Sequence, residues 1–268
     1  MQQVRAKAEN AHFVTALARG LEVLRCFDRP RIELTVSEIA RRTGLSQPTA
    51  WRLCQTLLDC GYLVRSTSGA GLRVGAPALT LGYAAVQGLS EVELAYPYMQ
   101  HLTDITGATT TLGRRQGLEM ISIEQLDGTH IRPNQGVGWR AGLASVASGL
   151  AVLAALPADV RSLLCTRLAA DEASWSRREP RVADATRQFE QHGYVVLTHV
   201  LHGAFTAVSV PLFEPGTNPD RQWALTLGSV SALWTEERIA MAGAELKKAA
   251  GILQPALAVL PSTNTERA

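Results

Sequence analysis

Arg41, Arg42, Gln47, Thr49 and Arg52 crowd into one short stretch of the chain. Guanidinium and carboxamide groups match the donor and acceptor edges of guanine and adenine in a DNA major groove, and hydroxyls suit bases or phosphates. Other reactive types are scattered. Ser145 and Ser148 precede an apolar run, and six histidines are available to them. No GxSxG, HExxH or SxxK motif and no nucleotide fingerprint is present. A hydrolase carrying a DNA-binding-like N-terminal appendage remains the alternative reading, marked by turnover of a small ester or amide that is lost on Ser148→Ala. His199 and His202 have the spacing of metal ligands, but the next acidic residue is Glu214 and no cysteine completes a set. No metal and no cofactor are expected. Cys26, Cys54, Cys60 and Cys165 form no CxxC pair and sit in apolar stretches, which reads as reduced, buried thiols. Gly69-Ala70-Gly71 lacks the strand before and the helix after that a phosphate loop requires.

The elements around the basic stretch place those side chains. Phe13, Leu17, Leu21 and Leu24 recur at helical spacing and predict a first helix over 14–27 with one apolar stripe. Thr35-Val36-Ser37-Glu38 reads as a capping box opening a second helix, which Gly44 ends. Ser46 caps the third helix, 47–59, with Pro48 in its first turn. Ala40, Gly44, Ala50 and Leu53 follow the spacing that two closely crossing helices and a glycine turn impose, a helix-turn-helix. Gln47, Thr49 and Arg52, with Trp51 or Gln55, then face outward to read bases. Two short strands, 62–65 and 72–75, flank a Ser/Gly-rich tip and form a wing. Arg65 and Arg73 on it, with Ser46, Arg41 and Arg42, are placed for phosphates.

Charge agrees with this division. Residues 1–75 hold eleven Lys and Arg against six Asp and Glu, a net of +5; the remainder holds 26 − 11 = 15 against 24 − 6 = 18, a net of −3. The 268 residues suit two domains, 46% hydrophobic content excludes wholesale disorder, and no apolar run reaches the roughly 18 residues of a membrane helix. The expected organisation is a winged helix-turn-helix over 1–75, a linker helix over 76–90, a second domain over 91–262 and a disordered tail over 263–268. In the second domain, helices are expected at 78–89, 91–106, 148–156, 158–169, 182–192 and 235–260, with 171–180 irregular. Strands are expected at 108–113, 118–126, 194–198, 205–213 and 223–230. Helices mixed with strands, without βαβ alternation, argue an α+β fold.

The runs LARGLEVLRCF and LTVSEIARRTGLSQPTAWRLCQTLLDCGYL closely resemble the winged-helix domain of the IclR-type bacterial transcriptional regulators. LRVGAPALTLGYA, VGWRAGLASVASGLAVLAALP, HGYVV and AFTAVSVPLF extend a looser likeness to about residue 260. The resemblance implies a GAF-like effector domain with a curved antiparallel sheet and a small-molecule pocket. Aligned on the family's ligand contacts, that pocket falls on Ala147 and Ser148, on Leu197, Thr198 and His199, on Ala207, and on Thr226 and Gly228, with Leu143 as an apolar wall. The loop LTHVLHG replaces the acidic run of many relatives, which implies a less anionic, more apolar pocket and an aromatic acid touching His199 or His202. The family reading implies a cytoplasmic, ligand-responsive regulator of catabolic genes without enzymatic activity. Its partners would be a pseudo-palindromic double-stranded DNA operator, a small-molecule effector and further copies of itself as a homodimer or tetramer, with no membrane.

Overall fold

The computed structural model describes residues 13–27, 33–67, 69, 71–87, 89–130, 136–171, 175–200, 204–213, 218 and 221–260. The chain divides into two compact units, residues 1–85 and 86–268. The tail expected at 263–268 lies outside the described residues.

The first unit holds helices α1 (Thr15–Arg25), α2 (Val36–Thr43) and α3 (Gln47–Asp59), strands β1 (Leu63–Arg65) and β2 (Leu72–Val74), and the start of α4 (Pro77–Gln87). The capping box is present: the Thr35 N–H donates to the Glu38 carboxylate at 2.8 Å, and the Glu38 N–H donates to the Thr35 hydroxyl. The backbone bond foremost, and then the Thr35 hydroxyl donating to the same carboxylate at 2.8 Å, hold the Glu38 carboxyl below its ordinary pKa. Gly44 takes φ 65°, the left-handed conformation that ends α2 without a Cβ clash. Ala50 is fully buried, so α3 approaches α2 closely. Leu34 bridges β2 through both backbone hydrogen bonds, and β1 pairs β2 antiparallel, which makes the wing. Val23, Leu34, Ile39, Cys54, Leu63 and Leu72 form the core.

The stripe of α1 faces outward: Leu17 is 63% and Leu21 50% exposed, while Val23 is the buried residue. Val23, with the partly buried Leu24, Cys26 and Phe27, packs on this core, whereas Leu17 and Leu21 are exposed among the described residues. Ser46 occupies the position before α3, yet its hydroxyl bonds the Thr49 hydroxyl at 2.8 Å instead of a backbone N–H.

The second unit is an α+β fold around a curled six-stranded antiparallel sheet. Its strands are β3 (Thr109–Gln116), β4 (Glu119–Leu126), β5 (Arg140–Gly142), β6 (Val195–Val200), β7 (Phe205–Leu212) and β8 (Trp223–Val230), in the order β5-β4-β3-β8-β7-β6. Helices α5 (Ser90–Thr106) and α9 (Glu236–Val259) cover one face, packing on Leu112, Val208, Val210, Leu225 and Leu227. A buried hydrogen bond of 2.7 Å joins the Thr103 and Thr110 hydroxyls beneath α5. The other face packs against α6 (Ala147–Ala155) and α8 (Trp175–His192), and α7 (Ala158–Asp171) packs on α8.

The segment expected to be irregular is mostly helix. α8 begins at Trp175 and runs through Pro180, its sixth residue, whose missing N–H forgoes one helical hydrogen bond. The three-residue edge strand β5 was not anticipated, being too short to show a periodicity. All four cysteines are free, as expected, but only Cys54 is buried and Cys60 is exposed at the end of α3. Burial pushes the Cys54 thiol up to about 11.

Candidate functional site

The outward side of the helix-turn-helix presents Arg41, Ser46, Gln47, Trp51 and Arg52, with Arg65 and Arg73 on the wing strands. Trp51 is 57% exposed, a large aromatic surface beside Arg52. Several of these groups are already oriented by neighbours. Gln47 donates its amide to the Ser37 hydroxyl at 2.9 Å, and Arg42 donates to the Cys26 carbonyl at 3.0 Å. Arg73 lies 3.9 Å from Glu33, whose carboxylate also accepts from Ser66 at 2.7 Å. Arg41, Arg52 and Arg65 make no ion pair within 4 Å among the described residues. Thr49 is half-buried and held by Ser46. The arrangement is a basic, partly pre-oriented face with one aromatic side chain, of the width of a helix and a wing.

In the second unit, a cavity of about 400 Å³ opens on the sheet face opposite α5 and α9, between β3, β4, β7 and β8 below and α6 and α8 above. The strand period builds its floor. Alternate residues of β3 point to one face, so Thr109 and Thr111 enter the cavity while Thr110 and Leu112 meet α5. Gly228 opposes Thr109 and Thr226 opposes Thr111 on the neighbouring strand. A Cβ on Gly228 would stand 2.5 Å from the Phe205 ring, so the absence of a side chain there lets the ring form part of the wall. The start of α6 is fixed by an equally close approach: a Cβ on Gly149 would stand 2.2 Å from the Leu143 carbonyl oxygen. No side chain caps α6, so the N–H groups of its first turn are left for another acceptor beside Ala147 and Ser148. Arg178 and Arg181, one helical turn apart on α8, complete the upper wall, and no carboxylate lines the cavity among the described residues.

Six of the nine residues aligned to the family's contacts come together here: Ala147, Ser148, Leu197, Ala207, Thr226 and Gly228. Leu143 does not line the cavity; it is fully buried in the core beneath α6. Thr198 is exposed on the other side of β6 from Leu197. The side chain of His199, and all of His202, lie outside the described residues. Sequence reading passed over Thr109, Thr111, Ser122, Gln125, Trp139, Arg178 and Arg181. Three successive threonines, 109–111, gave no alternation, so only the strand's facing separates Thr109 and Thr111 from Thr110. Nothing marked the arginines while 171–180 read as irregular. Among the described residues the floor is richer in hydroxyls than the apolar pocket expected.

The IclR helix-turn-helix domain matches residues 16–67, and the C-terminal domain of the bacterial transcriptional regulator IclR matches residues 83–253. The HTH-type transcriptional regulator TsaQ1/TsaQ2 of Comamonas testosteroni is 30% identical over 209 residues, 76% of this chain and 75% of that protein. The crystal structure of an IclR family transcriptional regulator from Brucella abortus shares 31% identity and a TM-score of 0.80, covering 94% of this chain and 95% of that one. An IclR homolog from Microbacterium hydrocarbonoxydans, solved in complex with 4-hydroxybenzoate, shares the fold at 22% identity, with a TM-score of 0.66 over 91% of this chain and 100% of its own. With a matching helix-turn-helix, a matching C-terminal domain over more than half the chain and relatives aligned along most of their length, the chain belongs to the IclR family of bacterial transcriptional regulators.

Proposed function

We propose that this regulator is sequence-specific and ligand-responsive, that it controls catabolic genes, and that its effector is a small organic acid able to present an aromatic ring. The observation that carries the effector is the charge of the cavity: two arginines and an uncapped helix N-terminus, with no carboxylate among the described lining residues. Trp139 and Phe205 supply apolar aromatic walls. The Microbacterium homolog with bound 4-hydroxybenzoate supports the same class of ligand.

At the DNA, Gln47, Thr49 and Arg52 read base edges, while Arg41, Arg42, Ser46, Arg65 and Arg73 hold phosphates. One winged helix spans too few base pairs for useful specificity, so a homodimer or tetramer acts on a pseudo-palindromic operator. The exposed Leu17 and Leu21 of α1, and Leu79, Leu81 and Tyr83 of α4, offer apolar surface for that self-association. Residues 1–75, 76–90 and 91–262 serve as DNA-binding domain, linker and effector domain. No helix among the described residues is long and apolar enough to cross a membrane, and the working compartment is the cytoplasm. The effector acts by binding the DNA-competent and DNA-incompetent arrangements with unequal affinity.

The test is fluorescence anisotropy on an operator fragment, titrated with small carboxylates and with their uncharged amides. At least one acid is expected to move the DNA Kd by about fivefold or more, the lower end of ordinary allosteric coupling, and its amide is not. A Kd that no acid moves overturns this reading.

A further inference from the structure

We propose that α7 carries a self-complementary surface through which two copies of this chain join, antiparallel about a two-fold axis at Leu163. The inference adds a second, separate contact to the self-association read from α1 and α4.

α7 buries Leu164 and Leu168 in the core of the second unit and turns its other side outward. That outer side is apolar at its centre, where Leu163 is 63% and Val160 38% exposed. A helix turns by about 100° per residue, so Asp159, Val160, Thr166 and Arg167 all lie within about 60° of Leu163. All four are exposed. Asp159 and Arg167 make no ion pair among the described residues.

The order of these residues decides the occupant. Asp159 stands four positions before Leu163 and Arg167 four after it; Val160 and Thr166 stand three before and three after. A second copy of α7, laid antiparallel with Leu163 on Leu163, sets Asp159 opposite Arg167 at both ends and Val160 opposite Thr166. A parallel pairing would set Asp159 on Asp159 and Arg167 on Arg167, so charge selects the antiparallel sense. A foreign partner would need this pattern read backwards, whereas a second copy supplies it. Beside the row, Ser162 and Cys165 border a groove of about 480 Å³ between α7 and α8, walled also by Trp175 and Val182. It lies on the Thr166 side, where Val160 of the second copy would arrive.

The 14 residues of α7 present a strip of about 20 Å by 10 Å, short of the ~800 Å² per partner that a stable interface buries. α7 therefore holds copies weakly by itself. It acts where another contact already pairs them, joining dimers into tetramers in a step that depends on concentration and salt.

Sedimentation velocity of the full chain over a concentration series tests this. The wild type is expected to form tetramers that fall to dimers on dilution, and Leu163→Arg to stop at dimers. Asp159→Arg and Arg167→Asp each place like charges at both ends of the contact, so each should weaken the step by about tenfold or more. The double reversal should restore it, which also shows that the single variants lose a contact and not the fold. A largest species unchanged in Leu163→Arg gives the face to another partner or to solvent and overturns the proposal. Single reversals without effect, or a double reversal that restores nothing, overturn it too. Leu21→Arg tests the α1 contact separately: if it removes a doubling step and Leu163→Arg does not, the α1 reading stands and this one falls. A wild type monomeric at every concentration overturns both.

Discussion

Replacing Gly149 by alanine adds one methyl group to the third residue of α6, where helix propensity and steric contact act in opposite directions. Propensity alone favours the change by about 1 kcal/mol in a helix interior. The structure sets contact against it: the new Cβ would stand 2.2 Å from the Leu143 carbonyl oxygen and 2.7 Å from both the Leu143 carbonyl carbon and Cα. Non-bonded atoms settle near 3.5 Å, so the start of α6 must retreat by more than about 1 Å. The obstacle is backbone, which cannot rotate aside, and overpacking of this kind costs about 1–3 kcal/mol. Taking the upper half of that range, about 2–3 kcal/mol, and subtracting propensity leaves a net loss of about 1–2 kcal/mol. For a unit the size of residues 86–268, that lowers Tm by about 2–8 °C. The same retreat carries Ser148 and the first-turn N–H groups away from the cavity, so effector affinity should fall by about tenfold or more. Scanning calorimetry and ligand titration read both effects. Gly251→Ala in α9, where a Cβ meets nothing within 4 Å, is the matched control and should raise Tm slightly. If Gly149→Ala raises Tm as the control does, α6 is not pinned against the Leu143 turn and the reasoning fails.

Other expectations follow from the first unit. Arg52→Ala should erase preference among DNA sequences, whereas Arg65→Ala should weaken all DNA about equally and reduce the salt slope by about 1; binding isotherms at several salt concentrations separate the two. Exposed Cys60 should alkylate near neutral pH while Cys54 reacts only on unfolding, and mass spectrometry of peptides from partially labelled protein shows the order. Because the folded Cys54 thiol is raised from 9.0 to about 11, the stability of keeping it neutral is intact below pH 9 and is lost as pH rises toward 11. Denaturant midpoints of wild type and Cys54→Ala, followed from pH 8 to 11, should therefore show a steeper decline for wild type.

The first unit was legible because its signals are local. A capping box, a glycine turn and small residues at the α2–α3 crossing act over three to ten residues, and each occurs as read. The stripe of Leu17 and Leu21 marks the limit of such signals, since periodicity reports an apolar face but not which surface covers it. Fold class and most strands of the second unit were readable from alternation. The cavity was only half readable. Residues aligned through small or apolar positions, such as Ala147, Ala207 and Gly228, line it, yet Leu143 packs beneath it. Arg178 and Arg181 were invisible because Pro180 and the surrounding charges disguised the first turns of α8. Three hydroxyls and a carboxamide, those of Thr111, Thr226, Ser209 and Gln125 on four different strands, become one rung only once the register is known.

The central claim is that this chain reads DNA sequence, and selection of bound duplexes from a randomised library, starting with the full-length protein, tests it most directly. The account predicts convergence on a pseudo-palindrome whose half-sites are spaced by helical turns, with affinity that falls steeply with salt and with loss of the consensus in Arg52→Ala. Retention of duplexes without any enriched sequence, at equal affinity for consensus and random DNA, would contradict it.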